Sequence, residues 1–392
     1  MAHLKKIILS LCLLASCLCT QGQIILKPGF DPGQYIRLLE ITHKQTAGLY
    51  PTPEKPTHDS TASRSANDTI HLPAIPLPAG FRLVYRSPET GLYNRWALWL
   101  RDDSAVAVIS IRGTIMNTAS WMENFYAAMV PATGEIQWND SVTFHYKLAE
   151  DPRATVHAGW LLGLASLAPT ILQEIRRYEK LGVKQFIIFG HSQGGALAFL
   201  VRSYLHYLPE GALPKDIVYK AYCSAAPKPG NLYYAYDFDY ITRGGWAFRV
   251  VNARDWVPET PFSIQTLEDF NTVNPFQNIK PALKHRSLLV KLYAGHVFNK
   301  LDRSSKKANK KFRRVLGHTV YKQIHQTLPE FKEPVYAKSM NYMTAGTPVV
   351  LMPYADYDHD FPFDGKNVFI HHGLKAYYLL TMHQYASSGL NR

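Results

Sequence analysis

Cysteine is scarce in this chain: its 392 residues hold four, and three of them, Cys12, Cys17 and Cys19, fall within the first nineteen. Beyond them stands only Cys223, so the remainder has neither a disulfide framework nor cysteine spacing suited to a metal. Cys223 lies in "VYKAYCSAA", which reads as a buried strand, and an inert core thiol is expected there. Long apolar runs are equally few. One follows Lys5 and Lys6 near the start and is too short to span a bilayer as a mature helix. No later run reads as transmembrane, and no repeat period is evident. Charged residues make up 19 %, too few for a disordered charged tail, while 46 % hydrophobic residues allow a sizeable core.

The apolar run with its lysines has the form of a secretory signal, which assigns residues 1–22 to a signal peptide and predicts export. Two cleavage readings stand. "LASC" resembles a bacterial lipobox and would leave Cys17 as a lipid-bearing N-terminus; an ordinary signal would be cut near Gly22. The corresponding locations are the bacterial periplasm, the outer membrane as a lipoprotein, or the medium.

Net charge is +13, and loss of Lys5 and Lys6 leaves +11. From Lys284 to Lys322 there are twelve Lys and Arg against one acid, Asp302, so this segment carries the whole excess. A focused basic patch, with Lys306, Lys307, Lys310, Lys311, Arg313 and Arg314 at its centre, attracts anionic surfaces. No nucleic-acid motif accompanies it, so a membrane or an acidic envelope polymer is the expected partner, with a merely solvated helix face as the plain alternative.

Residues 23–75 read as an N-terminal extension: a short helix in "FDPGQYIRLLEITHK", then a Pro-, Ser- and Thr-rich loop. From about residue 76 to the end, strand-like and helix-like segments alternate. That rhythm predicts an α/β fold, a mostly parallel sheet with helices on both faces. A helical insertion at about 262–331 interrupts it before the last strand and helix.

"KQFIIFGHSQGGALAFLVRSY" carries the chemistry. An apolar strand ends at Gly190 and a helix begins near Gly194, so Gly190-His191-Ser192-Gln193-Gly194 places a serine on a sharp strand-to-helix turn. The plain alternative is a glycine-rich turn with an idle serine. A serine hydroxyl needs a histidine base and an acid to orient that base, here expected in the chain order serine, acid, histidine. Asp255 follows the strand in "FRVVNARDWVPETP"; Asp237, Asp239 and Asp360 are rivals, and a turn-forming aspartate is the plain reading. His371 and His372 stand at the start of the final helix, where only one of two adjacent residues can face the serine; His359 and His383 are weaker candidates. An oxyanion hole is predicted from the backbone N–H of Gln193 and from Thr114, just after Arg112-Gly113. His191, Arg112 and His157 read as structural.

Together "VISIRGT", "VHAGW", "GHSQGGALA", "SAAPKPGN", "RVVNARDWVPETP" and "HHGLKAYY" resemble the class 3 lipases, the fungal-type family of the α/β-hydrolase fold. The likeness runs from about Phe81 to Tyr378, in family order. It favours His372 over His371 through H-x-L-x-x-Y. It implies carboxylic ester hydrolysis, usually of acylglycerols or phospholipids, through an acyl-enzyme on Ser192, with Asp255 and His372 completing the triad and no cofactor or metal. It also suggests a lid after the RGT-like loop, with Trp121, Met122, Phe125, Tyr126 and Met129 as one helical stripe; a fixed core helix is the other reading. Asp255 and His372 lie 117 residues apart, a longer gap than the simple pattern. Three alternatives remain open: a phospholipase A, a carboxylesterase for soluble esters, and a catalytically idle surface protein that binds anionic lipid or polymer.

Overall fold

The computed structural model describes residues 25–48, 72–274 and 287–386. The signal and lipobox readings, with Cys17, the Pro-rich loop and residues 275–286 of the insertion lie outside the described residues.

A helix, α1 (Pro32–Thr46), comes first; Asp31 caps it and proline opens it, both favourable at a helix start. One seven-stranded sheet forms the centre, with strands β1 (Phe81–Arg86), β2 (Trp96–Arg101), β3 (Ala107–Ile111), β4 (Gln185–His191), β5 (Val218–Ser224), β6 (Ala247–Asn252) and β7 (Thr347–Leu351), side by side in chain order. β1, β2 and β3 pair antiparallel; β3 through β7 are parallel. Helices α2 (Thr118–Phe125), α3 (Ala158–Lys180), α4 (Gln193–His206), α5 (Leu232–Ile241), α6 (Leu288–Arg313), α7 (Val320–Thr327) and α8 (Leu374–Gln384) complete the main elements.

β4 shows why its sequence is apolar throughout. Phe186 and Ile188 enter the core under α3, α4 and α5, while Ile187 and Phe189 enter the opposite core under α1 and α8. A strand covered on both faces loses the usual polar alternation. α1, from the N-terminal extension, is thus packed into the same sheet sandwich. α3 is long and apolar enough to cross a membrane, yet most of it is buried against the rest of the protein, as a core helix is.

The described helical part of the insertion runs from Leu288 to Thr327. α6 continues through a π turn (Arg314–Thr319) into α7, and α7 packs on α2. Val320, Ile324 and Phe331 thereby join the core under α3.

Two expectations fail locally. α2 ends at Phe125, so the five-residue lid stripe does not exist. Tyr126 caps the helix, is fully buried and shares a 2.8 Å hydrogen bond with the hydroxyl of Tyr336. Met129 lies in a buried strand, Met129–Pro131, paired with Thr155–His157. Strand pairing and burial outweigh the helical spacing. The inward face of α2 holds Ala119, Ser120 and Glu123, while Trp121, Met122 and Phe125 are half-buried or exposed. Burial pushes the Glu123 carboxyl up to about 8, against the opposing 2.7 Å bond from the amide of Asn94. The second expectation concerns His371 and His372. Both precede α8 in a turn, with Gly373 as its cap, so helical geometry does not set their directions.

Candidate active site

The corner after β4 is built by glycine. A β-carbon on Gly190 would stand 2.0 Å from the carbonyl oxygen of Gly194, and one on Gly194 would stand 2.3 Å from that of Ile111. No side chain fits between strand and helix at that approach. Between them Ser192 sits at φ 61° and ψ −130°, a region disfavoured for any residue but glycine. The strain is held from both sides: Ser192 N–H donates to Ser224 O at 2.9 Å, and Ser192 O accepts from Gly195 N–H and Ala196 N–H. The turn lifts a half-exposed serine over the sheet at the start of α4, where the N–H groups of the first turn have no acceptor inside the helix.

Asp255 follows β6 by three residues and is buried to 4 % exposure. Its Oδ1 accepts from Val257 N–H at 3.0 Å. Its Oδ2 accepts from the Tyr377 hydroxyl and from His372 Nδ1, each at 2.7 Å. His372 reaches it from across 117 residues of chain. Among the described residues nothing hydrogen-bonds to the Ser192 hydroxyl; such contacts are often long in a ligand-free site and tighten with substrate.

Three supporting features escape sequence reasoning. The first is a chain of hydrogen bonds that fixes the His372 turn. His191 lies beside Ser192 and is fully desolvated, which pushes its imidazole down to about 3 and keeps it neutral. Its Nε2 lies 2.8 Å from His372 O, which can only accept, so Nε2 carries the proton. Nδ1 must then accept from the Ser224 hydroxyl at 3.0 Å, and Ser224 in turn accepts from Tyr35 of α1 at 2.6 Å. The second is Tyr377, the tyrosine of H-x-L-x-x-Y, whose hydroxyl holds Asp255. The third is an aromatic rim. Phe125 stacks on Trp121, Trp121 meets Phe369 at 5.9 Å between centroids, and Phe369 meets Trp256 at 5.4 Å and His372 at 5.9 Å.

Thr114 and Gln193 lie together, with Thr114 Oγ1 donating to Gln193 Oε1 at 3.3 Å and accepting from Asn124 Nδ2 at 2.8 Å. A β-carbon on Gly113 would stand 3.6 Å from that of Ser192, so this loop lies against the serine. The rival residues lie elsewhere in local contacts. Asp237 accepts from Tyr207, Asp239 from Gly346 N–H, and Asp360 from Tyr354, while His359 is exposed beside Asp360 and His383 stacks on Tyr354. His371 Nδ1 lies 3.1 Å from the Tyr357 hydroxyl, and its carbonyl accepts from Asn252. Arg112 is buried, paired with Glu89 and bonded to Tyr93 O. Cys223 is a free, buried thiol whose pKa burial raises. Among the described residues no group of three or more His, Cys, Asp and Glu is placed to hold a metal ion.

His157 is desolvated like His191 and also pushed down to about 3. Its Nδ1 accepts from Trp160 N–H, and its Nε2 meets Asn124 O at 3.1 Å. Both histidines stay neutral in the fold as pH falls below 6.5, where the unfolded chain takes up their protons. Each therefore removes stability across the window from 6.5 down to about 3 and none above it. Near pH 5 the pair should cost about 2.5 kcal/mol of stability per pH unit. Urea titrations between pH 6 and 4.5 measure that slope, and His157→Gln should remove one proton's share. An unchanged slope would show that His157 is not the group responsible.

Residues 108–265 match the family model Lipase (class 3). Two curated relatives are the secreted mono- and diacylglycerol lipases LIP4 of Malassezia restricta, 26 % identical over 151 residues, and MDL2 of Malassezia globosa, 25 % identical over 184. These alignments cover 38 % and 46 % of this chain, and 45 % and 54 % of the relatives. The chain thus spans about half the length of the curated relatives it matches. Among solved structures, a lipase from Rhizopus microsporus var. chinensis is 24 % identical with a TM-score of 0.31, covering 47 % of this chain and 57 % of its own. Lip2 lipase from Yarrowia lipolytica is 17 % identical with a TM-score of 0.36, covering 60 % and 78 %.

Proposed function

We propose, from the premise that this chain belongs through residues 108–265 to the class 3 lipases, that it is a serine-dependent carboxylic ester hydrolase acting on acylglycerols. The observation that carries the reading is the 2.7 Å bond between His372 Nδ1 and buried Asp255, beside the strained Ser192 turn. The family match ends before His372, so for the base this geometry and the H-x-L-x-x-Y pattern support the reading. With Nδ1–H held by a carboxylate, Nε2 on the far edge of the ring is the basic nitrogen. It takes the Ser192 proton as Oγ attacks the ester carbonyl, then returns it to the leaving alcohol. Water repeats the cycle on the acyl-enzyme. The oxyanion faces the Gln193 N–H at the start of α4 and the Thr114 loop, where one donor is typically worth about 100- to 1000-fold in turnover. The aromatic rim of Trp121, Phe125, Phe369 and Trp256 offers an apolar wall for the acyl chain.

The reading includes export, because residues 1–22 have the form of a signal and the curated relatives are named as secreted. It also includes attraction to anionic membrane surfaces through Lys306, Lys307, Lys310, Lys311, Arg313 and Arg314. Treatment with a fluorophosphonate should give one adduct, mapped by peptide mass spectrometry to Ser192, together with glycerol ester hydrolysis that stops in proportion to labelling. Folded protein that resists the reagent and leaves diacylglycerol intact would overturn the assignment.

A further inference from the structure

α6 distributes its side chains in an unusual way along its length. Its first turns expose Leu288, Leu289, Leu292, Tyr293 and Val297, with Leu289 79 % and Tyr293 74 % accessible. At 100° per residue these five cover one half of the helix surface. Further along, that same half carries Lys300, Arg303, Lys306, Lys307, Lys310 and Lys311. Among the described residues only Lys306 of these six has a carboxylate within ion-pair distance, from Asp302 and Glu268. The opposite side of the C-terminal half is seated on the protein: Asn309 is buried, and Phe312 packs with Met340 and Tyr342 and meets Phe262. One exposed half-cylinder is therefore greasy at one end and cationic at the other.

We infer that α6 enters lipid with its N-terminal half, Leu288 to Val297, while Lys300 to Lys311 hold anionic headgroups. The inference rests on the membrane attraction proposed above and extends it from surface contact to penetration. Charge complementarity selects the occupant. Two copies of this helix paired parallel would set cations against cations, and paired antiparallel they would bury cations against leucines. An anionic bilayer meets both ends at once, because its acyl layer lies just beneath its charged layer. The twelve residue steps from Leu288 to Lys300 rise about 18 Å as a helix, enough to pass the headgroups when tilted. α6 is continuous through the π turn with α7, and α7 packs on α2, which carries Trp121 and Phe125 of the rim. The lipid-bound helix and the wall beside Ser192 are thus joined by packed helices.

Vesicles of phosphatidylglycerol and phosphatidylcholine test this with the full-length chain. Leu289→Glu with Leu292→Glu should weaken partitioning about 30-fold or more. Lys306→Glu, Lys307→Glu, Lys310→Glu and Lys311→Glu combined should weaken it about a hundredfold and abolish its dependence on salt and anionic lipid. Tyr293→Trp should gain fluorescence that lipids brominated on the acyl chain quench, measured as the difference from wild type. Hydrolysis of a soluble short-chain ester should be unchanged in all of them. Loss of that hydrolysis in wild type would defeat the hydrolase reading and leave this one intact. Binding that needs the lysines but ignores the leucines overturns penetration. Binding that ignores both overturns the docking itself. A dimer in solution that Leu289→Glu with Leu292→Glu dissociates would assign the face to a second copy instead.

Discussion

Ser192→Ala is expected to lower kcat for ester hydrolysis about a million-fold, to the level left by binding and the oxyanion hole alone. Nothing else in the site supplies a nucleophile: Cys223 is buried with its thiol pKa raised, and the Thr114 hydroxyl is committed to Gln193. The fold should not suffer, because alanine keeps the β-carbon and the backbone bonds to Ser224, Gly195 and Ala196. Ser192→Gly extends the test. It should be equally inactive, yet more stable by about 1 kcal/mol, since glycine relieves a strained φ of 61° costing about 1–3 kcal/mol and gives back about 0.5–1 in chain entropy. Single-turnover assays and urea midpoints on the three proteins separate the effects. Activity in Ser192→Ala within tenfold of wild type would remove the nucleophile, and the acyl-enzyme with it.

The strain at Ser192 also explains what could be read from the sequence. Gly190 and Gly194 flank the serine because backbone atoms occupy the places where their β-carbons would be, and that requirement is local enough to show as a motif. β4 was equally legible, since a strand buried on both faces must be apolar. Asp255 and the tyrosine of H-x-L-x-x-Y were visible as positions. Their bond was not, because Tyr377 reaches Asp255 across 122 residues. The Tyr35–Ser224–His191 chain is hidden for the same reason: it ties α1 to the end of β5, and nothing near Tyr35 in sequence announces a partner. Phe369 and Trp256 belong to separate loops and form a rim only in three dimensions. The lid stripe failed in the opposite sense. Its spacing suited a helix, but the pairing of Met129 with His157 is a long-range choice that spacing cannot report.

Asp255→Asn should cost about 10⁴-fold in kcat near neutral pH, although it changes one atom. The reason lies in which neighbours can adapt. Val257 N–H can only donate, and it points at Oδ1, so the amide oxygen of asparagine must take that place. The NH₂ group is then forced into the position of Oδ2, facing His372 Nδ1 and the Tyr377 hydroxyl. Tyr377 can accommodate by accepting. His372 can meet a donor only by presenting a bare Nδ1, which moves its proton to Nε2. An imidazole protonated on Nε2 cannot receive the serine proton. Asp255→Ala lacks the misplaced donor, so His372 remains free to adopt either tautomer, at the expense of orientation. The asparagine variant is therefore expected to be no more active than the alanine variant despite its closer shape, an order that a merely steric role for Asp255 would reverse. Steady-state kcat for both variants, with fluorophosphonate labelling rates as a second readout of nucleophilicity, decides the point. Asparagine activity within tenfold of wild type would show that this carboxylate does not set the tautomer of His372.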